Sequence, residues 1–246
     1  MKKLIIVLLT FILVGCAEAP TTVIDDNCDN SQGCEIAVPA DINEVTLDFK
    51  ESYEILNGEK NAKGVDYRVV DIADNDIFKL VDIEKIEDYE EFADLFTGIV
   101  LVSDPKCPWC RSVISTAVDT AKELGVKDVY VIHAWDAEGK ELFRDKYVWS
   151  GDSLKLEEGH PLYNMLIGMP GNEVLDDYTI KNSEGENIIL GEKRIYLPSF
   201  IYVNKGKIEA FTTGISKLQT EANMELTDEI KAEMKTKLTE FFKKTQ

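Results

Sequence analysis

Residues 99–110 read Ile-Val-Leu-Val-Ser-Asp-Pro-Lys-Cys-Pro-Trp-Cys, and this stretch decides the fold. Its first four residues are apolar without a break, which predicts a strand covered on both faces of a sheet. After the second cysteine, apolar residues recur at the i, i+3, i+4, i+7 spacing of a helix as far as Leu124, and Gly125 is suited to end it. Cys107 and Cys110 are therefore expected where a buried strand turns into an amphipathic helix.

The predicted place of Cys107 at the start of a helix favours its thiolate. Free N–H groups and the positive end of the helix dipole stabilise an anion there by up to about 2 kcal/mol. Lys106 and Arg111 add positive charge on either side, whereas Asp104 opposes them. Cys110 would lie one turn further into the helix. We therefore expect Cys107 to attack a disulfide and Cys110 to resolve the mixed disulfide.

Two cysteines at this spacing are also compatible with zinc or with a structural disulfide. Structural zinc needs two further Cys or His ligands. The candidates are Cys28 and Cys34, which are six residues apart, His133 on a predicted buried strand, and His160. None of these completes a zinc pattern, so we expect no metal and no cofactor. His133 is expected to be a satisfied core histidine rather than a base.

Strand and helix patterns alternate on both sides of the motif. Runs typical of strands occur at residues 45–49, 65–72, 78–83, 99–102 and 129–132, and a hairpin is predicted at 199–203 and 207–211. A helix is predicted at 86–96, and a last helix from the N-cap Thr227 to about Lys244. Residues 148–193 are predicted to be an insertion near the active face.

The N-terminal residues read as a targeting signal rather than as part of the fold. Lys2 and Lys3 precede an apolar run at 4–14, and at about 1.5 Å per residue this run is too short to span a hydrocarbon core of about 30 Å. The end of the run resembles the bacterial lipoprotein signal. That resemblance implies removal of residues 1–15 and a lipid on Cys16, which would anchor the protein on the extracytoplasmic face of the cell membrane.

Residues 16–43 are predicted to be a lipid-anchored flexible tether, because they are rich in Pro, Thr, Asp and Asn and carry no periodicity. With Cys16 assigned to lipid, four of the five cysteines remain outside the cytosol, where disulfides persist. We expect Cys28 and Cys34 to close a small structural disulfide loop. The alternative is that Cys28 and Cys34 are a second redox pair that undergoes thiol–disulfide exchange with Cys107 and Cys110.

The amino-acid composition and net charge of the chain indicate which kinds of partner it can bind. The chain has 246 residues and is 44% hydrophobic, which is enough for one domain with a core, predicted at 44–246. Asp and Glu number 46 against 27 Lys and Arg, so the net charge is −19. That balance argues against nucleic acid as a partner, because a phosphate backbone needs a basic surface.

The chain resembles the thioredoxin-like superfamily over roughly residues 78–246. The resemblance rests on the order of strand, Cys-x-x-Cys, helix and strand, followed by Leu197-Pro198, a hairpin and a final helix. It implies an α/β fold of three layers with a central mixed sheet, an N-terminal extension and an insertion before the cis-Pro strand. It also implies that Pro198 is cis beside the active pair and that Leu197 offers backbone groups to a bound peptide. Trp109 is a candidate contact for the same clients.

More narrowly, the sequence is similar to secreted thioredoxin-like lipoproteins and bacteriocin-accessory thiol oxidoreductases of low-GC Gram-positive bacteria. This implies a membrane-anchored thiol–disulfide oxidoreductase with exported thiol or disulfide proteins as clients and a membrane electron donor or acceptor as a further partner. Pro108-Trp109 differs from the Gly-Pro of thioredoxins and from the Pro-His of strong oxidases, so the redox direction stays open. A non-catalytic binding module and a dedicated maturation factor for one secreted partner are the alternatives.

Overall fold

The computed structural model describes residues 48–83, 96–135 and 140–246, all of which belong to one compact unit, Ala37–Gln246. Several predicted features lie outside the described residues: the signal segment at 1–15, Cys16, the tether at 16–43 with Cys28 and Cys34, and the helix at 86–96 apart from Phe96. None of the described helices is both long and apolar enough to cross a membrane.

The described part of the chain contains both helices and strands. In chain order they are α1 (Phe49–Glu54), β1 (Phe78–Val81), β2 (Gly98–Ser103), α2 (Pro108–Leu124), β3 (Val129–His133), β4 (Lys146–Ser150), β5 (Ser153–Glu157), α3 (Pro161–Gly168), β6 (Asp176–Lys181), β7 (Asn187–Arg194), β8 (Ser199–Asn204), β9 (Lys207–Thr212) and α4 (Asp228–Phe242). Short 3₁₀ turns at Asn172–Val174 and Lys243–Thr245 complete the list.

A five-stranded mixed sheet in the order β1-β3-β2-β8-β9 forms the centre of the molecule. β3 pairs in parallel with both β1 and β2, whereas β8 pairs antiparallel with β2 and with β9. The α/β class and the central mixed sheet predicted from the sequence are therefore confirmed. Because β2 lies in the middle of this order, every backbone group along it can pair with a neighbouring strand.

Both faces of β2 are buried, as its unbroken apolar run predicts. Ile99 and Leu101 belong to a core that includes buried side chains of α1, α2 and α4. Val100 and Val102 point to the other face, where α3 packs with Leu162, Tyr163 and Leu166. The sheet thus separates two hydrophobic cores, one lined by α1, α2 and α4 and one by α3.

The ends of the two long helices follow their sequence signals. Gly125 ends α2 in the left-handed conformation with φ of 69°. Thr227 caps α4, its hydroxyl accepting the Ile230 N–H at 3.3 Å. One face of this last helix is buried, with its members at helical spacing: Ile230, Met234, Leu238, Phe241 and Phe242.

Two predicted strands before the sheet disagree with the described residues, and side-chain hydrogen bonds explain both. Residues 45–47 of the strand predicted at 45–49 lie outside the described residues, but its end is wrong, because Asp48 caps α1 by accepting the Lys50 N–H at 2.8 Å. Residues 65–72 form no ladder beyond an isolated bridge at Asp66. Side chains form hydrogen bonds with the backbone of this segment instead: the Asn57 side chain accepts the Val70 N–H at 3.0 Å and donates to the Val70 carbonyl at 2.8 Å.

The segment predicted as an insertion, 148–193, contains two separate hairpins with α3 between them. β4 pairs with β5, and β6 pairs with β7. The hairpins touch through side chains, because the Trp149 indole N–H donates to the Lys181 carbonyl at 3.3 Å and the Tyr147 and Tyr178 rings meet edge to face at 5.3 Å. α3 between them supplies the second core, so this part of the chain is packed into the fold.

Candidate active site

Cys107 is the N-cap residue of α2 and lies directly after the turn that follows β2. Its Sγ accepts the Cys110 backbone N–H at 3.4 Å, and the Trp109 N–H also hydrogen-bonds it. Pro108 occupies the first turn of the helix, where its missing N–H costs nothing. The helix therefore begins with backbone donors directed at the Cys107 sulfur, as the sequence predicts.

The two thiols differ in their electrostatic environment. A hydrogen bond from the Cys110 thiol lowers the pKa of Cys107, and the N–H groups of the helix start add to this against the opposing effect of burial. Burial raises the pKa of Cys110 well above its ordinary value, and the neighbouring Cys107 adds to the rise. Cys107 is 5% exposed and Cys110 is 0% exposed. Of the two thiols, Cys107 therefore ionises first, and it is also the more exposed of the two sulfurs.

Asp104 is a buried carboxylate next to the pair that the sequence alone marked only as an opposing charge. Its two oxygens accept the Lys106 N–H at 2.8 Å and the Trp135 N–H at 3.3 Å. Burial raises the pKa of Asp104 to about 6 in spite of these bonds. The carboxylate also raises the pKa of Cys107, so the ionisation of the Cys107 thiol is coupled to that of Asp104.

The chain brings Leu197 and Pro198 to the same place as the cysteines. The Leu197–Pro198 peptide bond is cis, as the resemblance implies, and the Leu197 carbonyl oxygen lies 4.0 Å from the Cys107 Sγ. Pro198 is buried and Leu197 is half-buried. Trp109 is also half-buried and packs against the core that contains both cysteines. A peptide backbone that reached Cys107 would therefore pass the Leu197 carbonyl.

Tyr53 and Ser103 are site residues that sequence reasoning missed. The Tyr53 hydroxyl lies 2.5 Å from the Ser103 hydroxyl, and the Ser103 hydroxyl hydrogen-bonds the Cys110 thiol. The Asp104 backbone N–H hydrogen-bonds the same thiol. One signal for Ser103 was available, since it is the single polar residue that ends the apolar run of β2. For Tyr53 there was none, because it is 50 residues away along the chain.

Arg111 has a structural role that the sequence did not predict. Its guanidinium is buried and donates to the carbonyls of Tyr53 at 2.8 Å, Pro105 at 3.1 Å and Arg68 at 2.7 Å. It also donates to the Asn57 side chain at 2.8 Å. These bonds join α1 and the segment after it to the start of α2. Arg111 thus holds the N-terminal segment against the active-site helix.

His133 is half-buried and its buried ring nitrogen Nε2 is not satisfied, so the prediction of a satisfied core histidine is corrected. It ends β3 opposite Ser103, and its ring meets the Tyr53 ring edge to face at 6.3 Å. Its Nε2 has no hydrogen-bond partner within the described part of the chain. Burial lowers the pKa of His133 to about 4, so the imidazole is neutral at physiological pH. It supplies no positive charge to the cysteine pair.

The described residues contain no group of three or more His, Cys, Asp and Glu that could hold a metal ion. Comparison with known proteins found no similar protein from which a function could be inferred. The chain matches no protein-family model, and no curated protein and no solved structure is similar to it at a significant level. What the site offers is a pair of free, buried thiols with opposite pKa shifts at the start of a helix, beside a cis-proline turn.

Proposed function

We propose that this protein is a thiol–disulfide oxidoreductase of the thioredoxin-like type, with Cys107 as the nucleophile and Cys110 as the resolving cysteine. The observation that carries the proposal is the hydrogen bond from the Cys110 N–H to the Cys107 Sγ at the start of α2. A helix N-terminus stabilises a thiolate, and the thiolate is the species that attacks a disulfide. The mixed central sheet and the cis bond before Pro198 support the thioredoxin-like assignment.

The reaction takes two exchange steps. The Cys107 thiolate attacks one sulfur of a client disulfide, the client S–S bond breaks, and the departing client sulfur takes up a proton. The Cys110 thiol then loses its proton and its sulfur attacks the Cys107 Sγ. The bond between Cys107 and the client breaks, the second client sulfur takes up a proton, and a Cys107–Cys110 disulfide remains. The client is reduced by two electrons and the protein is oxidised by two. The reverse sequence installs a disulfide in a dithiol client.

Client recognition is proposed at the Leu197–Pro198 turn and Trp109. The Leu197 carbonyl, 4.0 Å from the Cys107 Sγ, would accept a backbone N–H of an extended client peptide. The half-buried Trp109 would add an apolar contact for the client beside Cys107. Backbone recognition of this kind tolerates many client sequences.

The proposed location is the extracytoplasmic face of the cell membrane, with exported proteins or peptides as clients. Its support is the sequence of residues 1–16, with a positive head, an apolar run and a cysteine at its end. A disulfide between Cys28 and Cys34 would suit the same compartment. Metabolic labelling with palmitate should place the label on the wild type and not on Cys16→Ser. Absence of label on the wild type would reject the lipid anchor.

The activity is tested by insulin reduction and by refolding of reduced hirudin. We expect Cys107→Ser to abolish both activities and Cys110→Ser to accumulate mixed disulfides with clients. Exposed Asp119, on the same helix, gives the control Asp119→Asn, which should keep full activity. Activity that persists in Cys107→Ser would contradict the proposal and favour a non-catalytic binding module.

Two further measurements refine the function. The mixed disulfides trapped by Cys110→Ser show how many clients the protein has. Many different adducts indicate a general oxidoreductase, and one dominant adduct indicates a maturation factor for one partner. The reduction potential of the Cys107–Cys110 pair gives the direction. A value near about −270 mV would mark a reductant that needs a membrane electron donor, whereas one near about −120 mV would mark an oxidant.

A further inference from the structure

The thiol of Cys110 is next to the Ser103 hydroxyl, which in turn pairs with the Tyr53 hydroxyl from a distant part of the chain. Ser103 is the last residue of β2, and its hydroxyl hydrogen-bonds the Cys110 thiol. Tyr53 belongs to α1, and its hydroxyl lies 2.5 Å from that of Ser103. All three residues are 0% exposed. Water therefore cannot supply the hydrogen bonds that a charged Cys110 sulfur would need, and these two hydroxyls take its place.

The position of Tyr53 is held from several sides. Arg111, the residue after Cys110, donates to the Tyr53 backbone carbonyl at 2.8 Å and so ties α1 to the active-site helix. The Tyr53 ring also meets the Phe49 ring at 5.3 Å and the His133 ring at 6.3 Å. The hydroxyl thus reaches Ser103 in a fixed geometry, which is the condition for a donor that costs no rearrangement when charge develops.

We propose that Tyr53 and Ser103 form a hydroxyl relay that stabilises the Cys110 thiolate while the mixed disulfide is resolved. The inference rests on the proposed function, since it concerns the second exchange step of that reaction. Tyr53 donates to the Ser103 oxygen, and Ser103 donates to the Cys110 sulfur. Ser103 touches the reacting atom and is the catalytic residue of the two, whereas Tyr53 is a positioning residue that acts through Ser103.

The resolving step balances without any further reagent. Cys110 loses its thiol proton, its sulfur forms a bond to the Cys107 sulfur, and the bond from Cys107 to the client sulfur breaks. The departing client sulfur takes up a proton, so the step is neutral in protons, and the electron pair of the broken bond leaves with the client. The two hydroxyls keep their protons throughout. They lower the energy of the charged Cys110 sulfur, which burial otherwise disfavours.

The groups around Cys110 leave this role to the hydroxyls. Cys107 is bonded to the client in the mixed disulfide and carries no charge at that stage. Asp104 contributes its backbone N–H to the Cys110 sulfur, but its carboxylate is negative when ionised. His133 faces the Tyr53 ring and is neutral. The side-chain donors that reach the sulfur from these neighbours are therefore Ser103 and, behind it, Tyr53.

The expected size of the effect follows from two opposing terms. A hydrogen bond to a charged group changes an equilibrium by about tenfold or more, so loss of the relay should raise the apparent pKa of Cys110 by about one unit. A thiolate of higher pKa is also more nucleophilic, which recovers about half of the loss on a logarithmic scale. We therefore expect resolution at neutral pH to slow by about threefold.

The test uses the full chain with Cys16, Cys28 and Cys34 replaced by Ser, so that Cys107 and Cys110 are the only thiols. Reaction with dithionitrobenzoate releases one coloured thionitrobenzoate when Cys107 is attacked and a second when Cys110 resolves the adduct. Stopped-flow kinetics across pH separates the two phases. The variants are Tyr53→Phe, Ser103→Ala and the double variant, each of which removes only a hydroxyl group or groups.

The matched control is Tyr163→Phe. Tyr163 is also fully buried, but it lies in the second core and its hydroxyl has no hydrogen-bond partner within the described residues. The variant Tyr163→Phe reports the general effect of removing a buried phenol oxygen. Both kinetic phases of this variant should have the same rates as those of the parent chain.

Support for the relay is an unchanged first phase together with a second phase that is about threefold slower and shifted to higher pH in both single variants. Because Tyr53 acts through Ser103, the double variant should be no slower than Ser103→Ala alone. A second phase with the parent rate and pH profile in Tyr53→Phe and Ser103→Ala would overturn the relay. The proposed function fails separately, if the parent chain shows no second phase or if Cys107→Ser retains the first.

Discussion

The buried carboxylate of Asp104 makes a quantitative prediction about stability and pH. Its pKa is raised from 3.8 to about 6 in the folded protein, mainly by burial. An acid whose pKa is higher in the folded state binds its proton more tightly when folded, so this group removes stability as the pH rises through the interval between the two values. The difference of about 2.2 units at 1.36 kcal/mol per unit amounts to about 3 kcal/mol. That penalty is about 0.5 kcal/mol at pH 4, grows as the pH rises, and is nearly complete at about pH 7.

Asp104→Asn is the perturbation that isolates this term, because the amide has nearly the same shape and cannot ionise. Its NH₂ group would meet the N–H of Lys106 or Trp135, which adds a destabilisation that does not depend on pH. The free energy of unfolding is measured by urea denaturation of both proteins at about pH 4 and about pH 7. Relative to the wild type, the variant should gain about 2.4 kcal/mol of unfolding free energy between these two pH values.

Asp119→Asn is the control, since Asp119 is an exposed carboxylate on α2 and the substitution is chemically the same. Its stability should follow that of the wild type at every pH. Parallel stability curves for Asp104→Asn and the wild type would refute the reasoning, because they would mean that Asp104 has the same pKa in the folded and unfolded chain.

Three further results are expected. In the folded reduced protein, iodoacetamide should alkylate Cys107 with a pH midpoint below that of an ordinary thiol and leave Cys110 unmodified, which mass spectrometry of peptides checks. Arg111→Met should lower the free energy of unfolding by about 3 kcal/mol or more, because three buried carbonyls and an amide oxygen lose their donor; Arg111→Lys should lose less. Both Gly171 and Gly185 have positive φ, but a Cβ at Gly171 would lie 2.0 Å from a β9 carbonyl oxygen, whereas a Cβ at Gly185 has no atom within 4 Å. Thermal melts should therefore show a much lower melting temperature for Gly171→Ala than for Gly185→Ala.

The local features of the candidate site were predictable from the sequence because they depend on neighbours along the chain. An unbroken apolar run followed by Cys-Pro-Trp-Cys and a helical period is enough to place Cys107 at a helix N-terminus. The same reasoning placed Gly125 and Thr227 at helix ends, where backbone conformation and capping chemistry are local properties. The α/β class followed from the alternation of these patterns. The cis bond at Pro198 was expected from resemblance alone, since no local rule demands it.

The strand prediction for residues 65–72 failed because side chains there replace the hydrogen bonds of a sheet ladder. Residues 65–72 have the composition of a strand, but Asn57 satisfies Val70 and Arg111 satisfies Arg68. Propensity describes what a segment prefers when no distant partner competes for its backbone groups. These partners come from α1, from the loop after it and from α2, so the pattern within the segment could not reveal them.

The sequence by itself determined that Cys107 and Cys110 begin a helix after a buried strand, which is the basis for proposing Cys107 as nucleophile and Cys110 as resolving thiol. Only the tertiary structure decided what surrounds them. Tyr53 reaches Ser103 across 50 residues and Arg111 across 58, and Asp104 and His133 acquire their shifted pKa values because the core closes over them. Burial and long-range hydrogen bonds arise when distant segments share one core, so no window along the chain contains them.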